Sequence, residues 1–453
     1  MKKMLKVGKS MVASLLIASM LVGCGASSMP GAAAPAAESG KESQSVAQTE
    51  EGKGGKRQFN FWDSAFKTDL EANVYLKTAI DMFEKQHPDV EFVLSTKGRP
   101  EQQFDALTIA FSSDNGPDAF GYSVGALLDP LIKSGKIEKL NDQFAANGWK
   151  DVLDPAAIKM QEMLFNGDMY ALPIEHTVMG IFYRKDLYEK YKLEVPKTFE
   201  EFENNCKVLQ ENGIVPIGNA GKVPAVTNRW FDGFLEMRCG PELHDKLLMG
   251  TAPINCPEVV TALEDLKKLS VYFQKGHLSA EESEVYMLLY PGKAAHFYTA
   301  TWQADTFENQ EQDINNYGYF RFPSGQTPSR SNSFSYGIYV NASSANKELA
   351  ADFLKICASI EPYKAAFDQK KSIVGARPDA FDPSKVDDLR KQLLEDISNP
   401  GGSYMPSNEM SWPPKLTDEL FQVLDQVMLE TITPAQGAAQ LDAMAKEISF
   451  YKI

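Results

Sequence analysis

Between Gln58 and Tyr122 the spacing of apolar residues switches back and forth between two periods, and this alternation restricts the fold more than any other feature. Gln58-Phe-Asn-Phe-Trp62 alternates, putting Phe59 and Phe61 on one face of a short strand. Val74, Tyr75, Ile80 and Phe83 then recur at helical spacing until His87-Pro88 stops the helix. Val90, Phe92 and Leu94 alternate again. Phe104, Leu107 and Phe111 mark a second helix, closed by Ser112-Ser-Asp-Asn-Gly-Pro117, and Asp118 to Tyr122 reads as a third strand. Strand, helix, strand, helix, strand implies βαβ units and a parallel sheet.

The pattern continues downstream. Phe165-Asn-Gly-Asp-Met169 has the look of a hairpin. Thr198 and Glu201 form a capping box ahead of a helix whose Phe199, Phe202, Cys206 and Leu209 share a face. Ile214-Val-Pro-Ile217 follows as a strand. From Thr417 onward the chain reads as helical, with Leu420, Leu424, Val427 and Met428 in one stripe. The body is α/β, and its roughly 395 residues exceed one comfortable core, so two lobes are expected.

The chain has 453 residues, with 46 Lys plus Arg against 61 Asp plus Glu, a net charge of −15. Such a balance argues against a nucleic-acid partner, because neutralising phosphates requires a basic footprint. The charge is unevenly placed. Residues 1–23 hold Lys2, Lys3, Lys6 and Lys9 and no acid, so the remainder has 42 basic residues against 61 acidic, or −19. A basic start followed by the apolar run Met11 to Leu21 fits a signal peptide over 1–23. That run is too short to span a bilayer, which takes about 20 residues.

Leu21-Val-Gly-Cys24 resembles the lipobox of bacterial lipoproteins. The resemblance implies that Cys24 carries a diacylglycerol and a fatty acyl group such as palmitate, and becomes the mature N-terminus. Two chains suffice for stable anchoring where one is marginal. The chain is therefore expected to be exported and lipid-anchored at the outer face of the cell membrane. Residues 24–57, rich in Ala, Ser, Gly, Glu and Lys, form the expected disordered tether. Four cysteines remain: Cys206, Cys239, Cys256 and Cys357. None has zinc-ligand spacing, so no metal is expected. Cys239 and Cys256 are the nearest candidates for pairing, and buried free thiols are the equal alternative.

Five segments, in order, resemble the maltose-binding-like family of bacterial extracellular solute-binding proteins that serve ABC importers. They are Gly116-Pro-Asp-Ala-Phe120 with Leu127 to Leu140; Asn166-Gly-Asp-Met-Tyr-Ala-Leu-Pro173; Ile181-Phe-Tyr-Arg-Lys-Asp-Leu187; Pro196-Lys-Thr-Phe-Glu-Glu201; and Tyr336-Gly-Ile-Tyr-Val-Asn341 with Asn346 to Leu354. The resemblance spans essentially all of 58–453. It implies a type II periplasmic-binding-protein-like fold: two lobes, each a mainly parallel sheet flanked by helices, hinged so as to close on ligand. The lobes it implies are 58–173 with 337–372, and 174–336 with 373–453. It also implies a small-molecule solute, above all a carbohydrate, an ABC permease as partner, a monomer, and no cofactor.

A sugar presents apolar faces for aromatic stacking and a rim of hydroxyls for charged and amide groups. Trp302 ends Phe297-Tyr-Thr-Ala-Thr-Trp302, resembling the family's strand end with a stacking Trp. Trp412 lies in a loop before a helix and Trp230 opens one. Trp62 and Asp63 follow the first strand, where ligands gather beyond strand carboxyl ends. Glu175 and His176 follow the Leu172-Pro173 crossing, and Arg377 sits on the other crossing at Gly375-Ala-Arg-Pro378. Tyr122 matches an aromatic position of the maltose-type proteins, but Ser123-Val-Gly125 replaces the charged pair found there, which argues against maltodextrin. Trp149 packs locally in the bland reading, and Asp118 is read as structural, accepting backbone N–H groups in its turn.

Two rival classes remain. A glycoside hydrolase would need paired carboxylates at a defined separation, and no spacing among the acids singles one out. No His-Glu-x-x-His, Gly-x-Gly-x-x-Gly or P-loop occurs, and catalytic residues are not expected. A binder of a non-sugar solute such as a polyamine would draw on carboxylates around aromatics.

Overall fold

A computed structural model of the chain describes residues 55–452 apart from 66, 327–329 and 398–403. The signal segment, Cys24 and nearly all of the expected tether lie outside the described residues. Arg57, assigned to the tether from sequence, instead opens the first strand and pairs with Val90.

The N-terminal alternation folds as its periods require. β1 (Arg57–Asp63), β2 (Val90–Thr96) and β3 (Ala119–Ser123) are joined by α1 (Val74–Gln86) and α2 (Pro100–Ser112), and β1 pairs in parallel with both β2 and β3. Phe59 and Phe61 point into a knot of rings with Phe83, Phe92 and Phe353, at centroid separations of 5.0 to 5.9 Å. Each such pair adds about 0.5–1.5 kcal/mol beyond area burial. The apparent hairpin at 165–169 is instead the end of α3 (Pro155–Leu164). Asn166 and Gly167 take left-handed φ of 55° and 86°, and the Gly167 N–H returns to the Glu162 carbonyl at 2.8 Å. A helix C-terminus and a two-residue hairpin call for the same Asn-Gly chemistry, so sequence alone does not separate them.

Two long strands join the halves. β4 (Ala171–Arg184) pairs antiparallel with β8 (Ser331–Val340) over 171–178, then with β6 (Ala294–Ala300) and β7 (Tyr317–Phe320) over 179–184. The strand path is β2-β1-β3-β8-β4-β6-β5, with β5 (Val215–Gly218) parallel to β6, and with β7 beside β4 and β9 (Tyr404–Pro406) beside β8. The result is a mixed sheet: βαβ crossovers make its parallel edges, and the returning strands β4 and β8 make its antiparallel centre.

The core is divided as well. One cluster gathers Phe59, Phe61, Leu172, Ile338 and Phe353; another gathers Met179, Trp230, Tyr298, Leu416 and Leu441. The second lobe is built on α4 (Phe199–Glu211), α5 (Pro224–Leu248, broken at Gly240-Pro241), α6 (Pro257–Leu269), α7 (Glu282–Leu289) and α8 (Gln303–Asn309). The capping box holds: the Glu201 N–H donates to Thr198 Oγ1 at 3.2 Å and the Thr198 N–H to Glu201 Oε2 at 3.1 Å. Past β9 come the short α9 (Asn408–Ser411), then α10 (Pro414–Met428) and α11 (Pro434–Glu447).

A third link, 374–376, lies against β4. The His176 N–H donates to the Val374 carbonyl at 2.9 Å and the Ala376 N–H to the Ile174 carbonyl at 3.1 Å. Asp118 is structural, but it serves a neighbouring strand and not its own turn: it accepts from the Asn60 N–H at 2.7 Å and the Ser344 hydroxyl at 2.6 Å. Trp149 packs edge-on to Phe144 at 5.2 Å. All four cysteines of the body are free thiols.

Candidate functional site

The carboxyl end of the first half-sheet carries a polar row across four strands. Asp63 ends β1, Gly121 lies in β3, Tyr336 in β8 and Glu175 in β4, with Tyr336 and Glu175 as register partners. The Tyr336 hydroxyl donates to Asp63, whose other partner is the Ser64 N–H at 2.7 Å. Lys67 reaches in from the loop after β1, pairing with Glu175 at 2.5 Å and standing 4.9 Å over the Tyr336 ring. Gly121 makes room for this cluster. A Cβ there would meet Asp63 Oδ2 at 2.5 Å and the Tyr336 hydroxyl at 2.9 Å. Burial pushes the Asp63 carboxyl up to about 7, against the pull of the Tyr336 hydroxyl, Lys67 and the Ser64 N–H. Trp62, half-buried on the opposite side of β1, has the Lys97 ammonium 3.8 Å from its ring centre.

The second lobe contributes a cluster of different character. β6 leaves β4 at Thr301, whose N–H donates to the Val178 carbonyl at 3.1 Å, and Trp302 follows half-buried at the start of α8. The Arg229 guanidinium of α5 lies 5.9 Å from the Trp302 ring centre. Arg229 is only 8% exposed, donates to the Tyr298 carbonyl at 3.2 Å, and has no partner at Nε among the described residues. Desolvation holds its pKa below the usual range, against the opposing charges of Glu282 and Glu409. The Glu409 carboxyl is itself raised to about 7 by burial, with Arg229 and Ser407 pulling the other way.

Behind Arg229 lies Asp232, fully buried. It accepts from Asn332 Nδ2 at 2.5 Å, and burial with nearby Glu409 holds it well above the usual carboxylate range. Asn228 Nδ2 donates to Asn408 Oδ1 at 2.7 Å, tying α5 to α9. Two residues on, Met410 meets the first lobe: a Cβ on Gly125 would come within 2.8 Å of the Met410 carbonyl oxygen. The second-lobe cluster therefore borders the contact between lobes.

Several residues singled out from sequence are placed elsewhere. Trp230 is 0% exposed, stacked on Phe202 and edge-on to Tyr298, so it is a core residue of the second lobe. Trp412 is also core, its indole N–H donating to the Leu247 carbonyl at 3.3 Å. Tyr122 is buried against Phe104 and donates to the Pro100 carbonyl at 3.1 Å. His176 is buried with Nδ1 2.9 Å from Asp154 Oδ2, and Arg377 pairs with Asp379 and the Ala358 carbonyl. Trp302, Asp63, Glu175 and the half-buried Trp62 remain near the two clusters. Arg229, Glu409, Lys67 and Tyr336 were not foreseen. Arg229 stands directly before Trp230, and one step round a helix turns about 100°, enough to exchange the core for the cluster.

A family model for bacterial extracellular solute-binding proteins matches residues 63–364. The chain belongs to this family. An uncharacterised ABC-transporter extracellular-binding protein of Pyrococcus horikoshii is 26% identical over 229 residues, 49% of this chain and 51% of the relative. The melibiose/raffinose/stachyose-binding protein of Bacillus subtilis is 26% identical over 178 residues, 38% of each chain. The match thus spans about half or less of these curated relatives. The solved structure of a chitin oligosaccharide binding protein superposes with a TM-score of 0.76 at 21% identity, covering 87% of this chain and 99% of its own. At that identity the likeness establishes the fold alone, the two-lobed type II periplasmic-binding-protein-like fold. Among the described residues no helix is long and apolar enough to cross a membrane, and no three His, Cys, Asp or Glu side chains gather as a metal site.

Proposed function

We propose that this chain is the solute-capturing component of an ABC importer, that it takes a sugar or oligosaccharide between its lobes, and that it delivers the closed complex to a permease. Cys24 is the proposed lipid anchor, holding the protein as a monomer at the outer face of the cell membrane. One observation carries the reading. In the second lobe the Trp302 ring stands beside the buried Arg229 guanidinium, whose Nε has no partner among the described residues, and the first lobe carries a fixed row of acceptors and donors. An aromatic plane with a mixed polar rim is what a polyhydroxylated ring needs. Binding of sugars by relatives of the same family adds to this. No chemistry on the solute is required of the chain.

A thermal-shift panel of raffinose, chitotriose, xylotriose and spermidine tests the reading. A ligand at 100 times its Kd adds about 2.7 kcal/mol of stability, a plain rise in Tm. A rise with an oligosaccharide and none with spermidine is expected. A response to spermidine alone would replace sugar by polyamine, and release of reducing ends from the oligosaccharides would replace binder by hydrolase. Intact mass of the membrane-associated protein tests the anchor: an unmodified Cys24 would remove it.

A further inference from the structure

Arg229 is out of keeping with the rest of the buried charges. Arg330, equally buried, has a bidentate pair with Glu236 and a second bond to Asp245. Arg390 also has an Nε without a partner among the described residues, but its guanidinium is held by three carboxylates, Asp305, Glu308 and Asp387. Arg229 has one protein carbonyl, a Trp face, and an Nε with no partner among the described residues. A desolvated guanidinium left this way is costly unless something completes its hydrogen bonds. Its position beside Trp302 and the lobe contact supplies an occupant.

We propose that Arg229 is the principal recognition residue of the second lobe, its guanidinium edge gripping two adjacent hydroxyls of an uncharged sugar ring that rests on Trp302. The inference rests on the sugar-binding reading above and deepens it. A guanidinium edge offers parallel donors at a separation that fits two neighbouring oxygens, either a carboxylate or a vicinal diol. The surroundings decide between them. Glu282 and Glu409 both act electrostatically on the cation, and a carboxylate ligand would be a further acid beside them. A uronic acid would add another acidic group to that pair. A diol brings none, and can donate to Glu409 while accepting from Arg229.

The test measures Kd by calorimetry, and Tm, for the wild-type chain and for Arg229→Met and Arg229→Lys, with raffinose, chitotriose and xylotriose as neutral probes and digalacturonate as the acidic one. The wild type is expected to bind a neutral probe at least tenfold tighter than digalacturonate. Arg229→Met should weaken that binding at least tenfold while Tm stays level or rises, because an apolar side chain replaces an underpaired buried charge. Arg229→Lys should recover only part, since an ammonium lacks the fork. Unchanged affinity in Arg229→Met overturns the inference, as does the pattern of a purely structural residue, a lower Tm with Kd intact. Tightest binding of digalacturonate overturns it while leaving the sugar reading standing. If no sugar binds the wild type, both fall.

Discussion

The two polar clusters are built on opposite plans. In the first lobe, Asp63, Tyr336, Lys67 and Glu175 are tied to one another and three of them sit on paired strands. In the second, Arg229, Trp302 and Glu409 stand on three separate helices or helix starts, and Arg229 retains an unfilled donor position. The strand-borne cluster is rigid and self-satisfied, so it can position a ligand at little entropic cost; the helix-borne cluster holds the capacity that only a ligand completes. Under the proposed function, one lobe would shape the site and the other supply its grip.

The largest expected effect separates the grip from the scaffold under it. Trp230→Ala should cost about 3–5 kcal/mol of stability, as for a large buried aromatic, whereas Trp302→Ala, half-exposed at a helix start, should leave the denaturation midpoint nearly unmoved. Equal losses in urea unfolding would mean the two tryptophans are not core and contact. Next, Gly121→Ala drives a methyl into Asp63 and Tyr336 and should cost about 1–3 kcal/mol by overpacking. An unchanged midpoint would show that the first-lobe row is loose, and the two clusters would not differ in rigidity.

A smaller effect falls on affinity. Trp302→Ala should lose about 1–2 kcal/mol of sugar binding, read by calorimetry. Binding as tight as in the wild type would take Trp302 out of the site. A further effect is a pH slope. Asp63 folds with its carboxyl at about 7, above the roughly 3.9 of an unfolded chain, so the unfolded state gives up this proton first. The stability due to this group is fully present below about pH 4 and is lost as pH rises toward 7. Asp63→Asn should flatten that decline, and so should Glu409→Gln for the same reason. Slopes identical to the wild type over this range would mean that neither acid is buried as described.

Much of the fold was legible because strands and helices advertise their periods: β1, α1, β2, α2 and β3 fall where Phe59 to Tyr122 alternate and repeat. The site was less legible, because a sequence names a residue without saying which way it faces. Glu175 and His176 are neighbours on a strand, so period two sends one to the polar row and the other to Asp154. Arg229 and Trp230 are neighbours on a helix, and only the packing of Phe202 and Tyr298 decides that the Trp is core. Trp412 looks like a loop residue until α10 and Phe450 close over it. Arg229 carries no sequence signal at all; its meaning lies in the partners it lacks.

The proposed function requires capture of the solute between two lobes. Small-angle X-ray scattering of the purified protein, without ligand and with a saturating oligosaccharide identified by the thermal-shift panel, tests it most directly. Closure predicts a smaller radius of gyration and a shorter maximum dimension in the complex; superposable profiles under demonstrated saturation would contradict it.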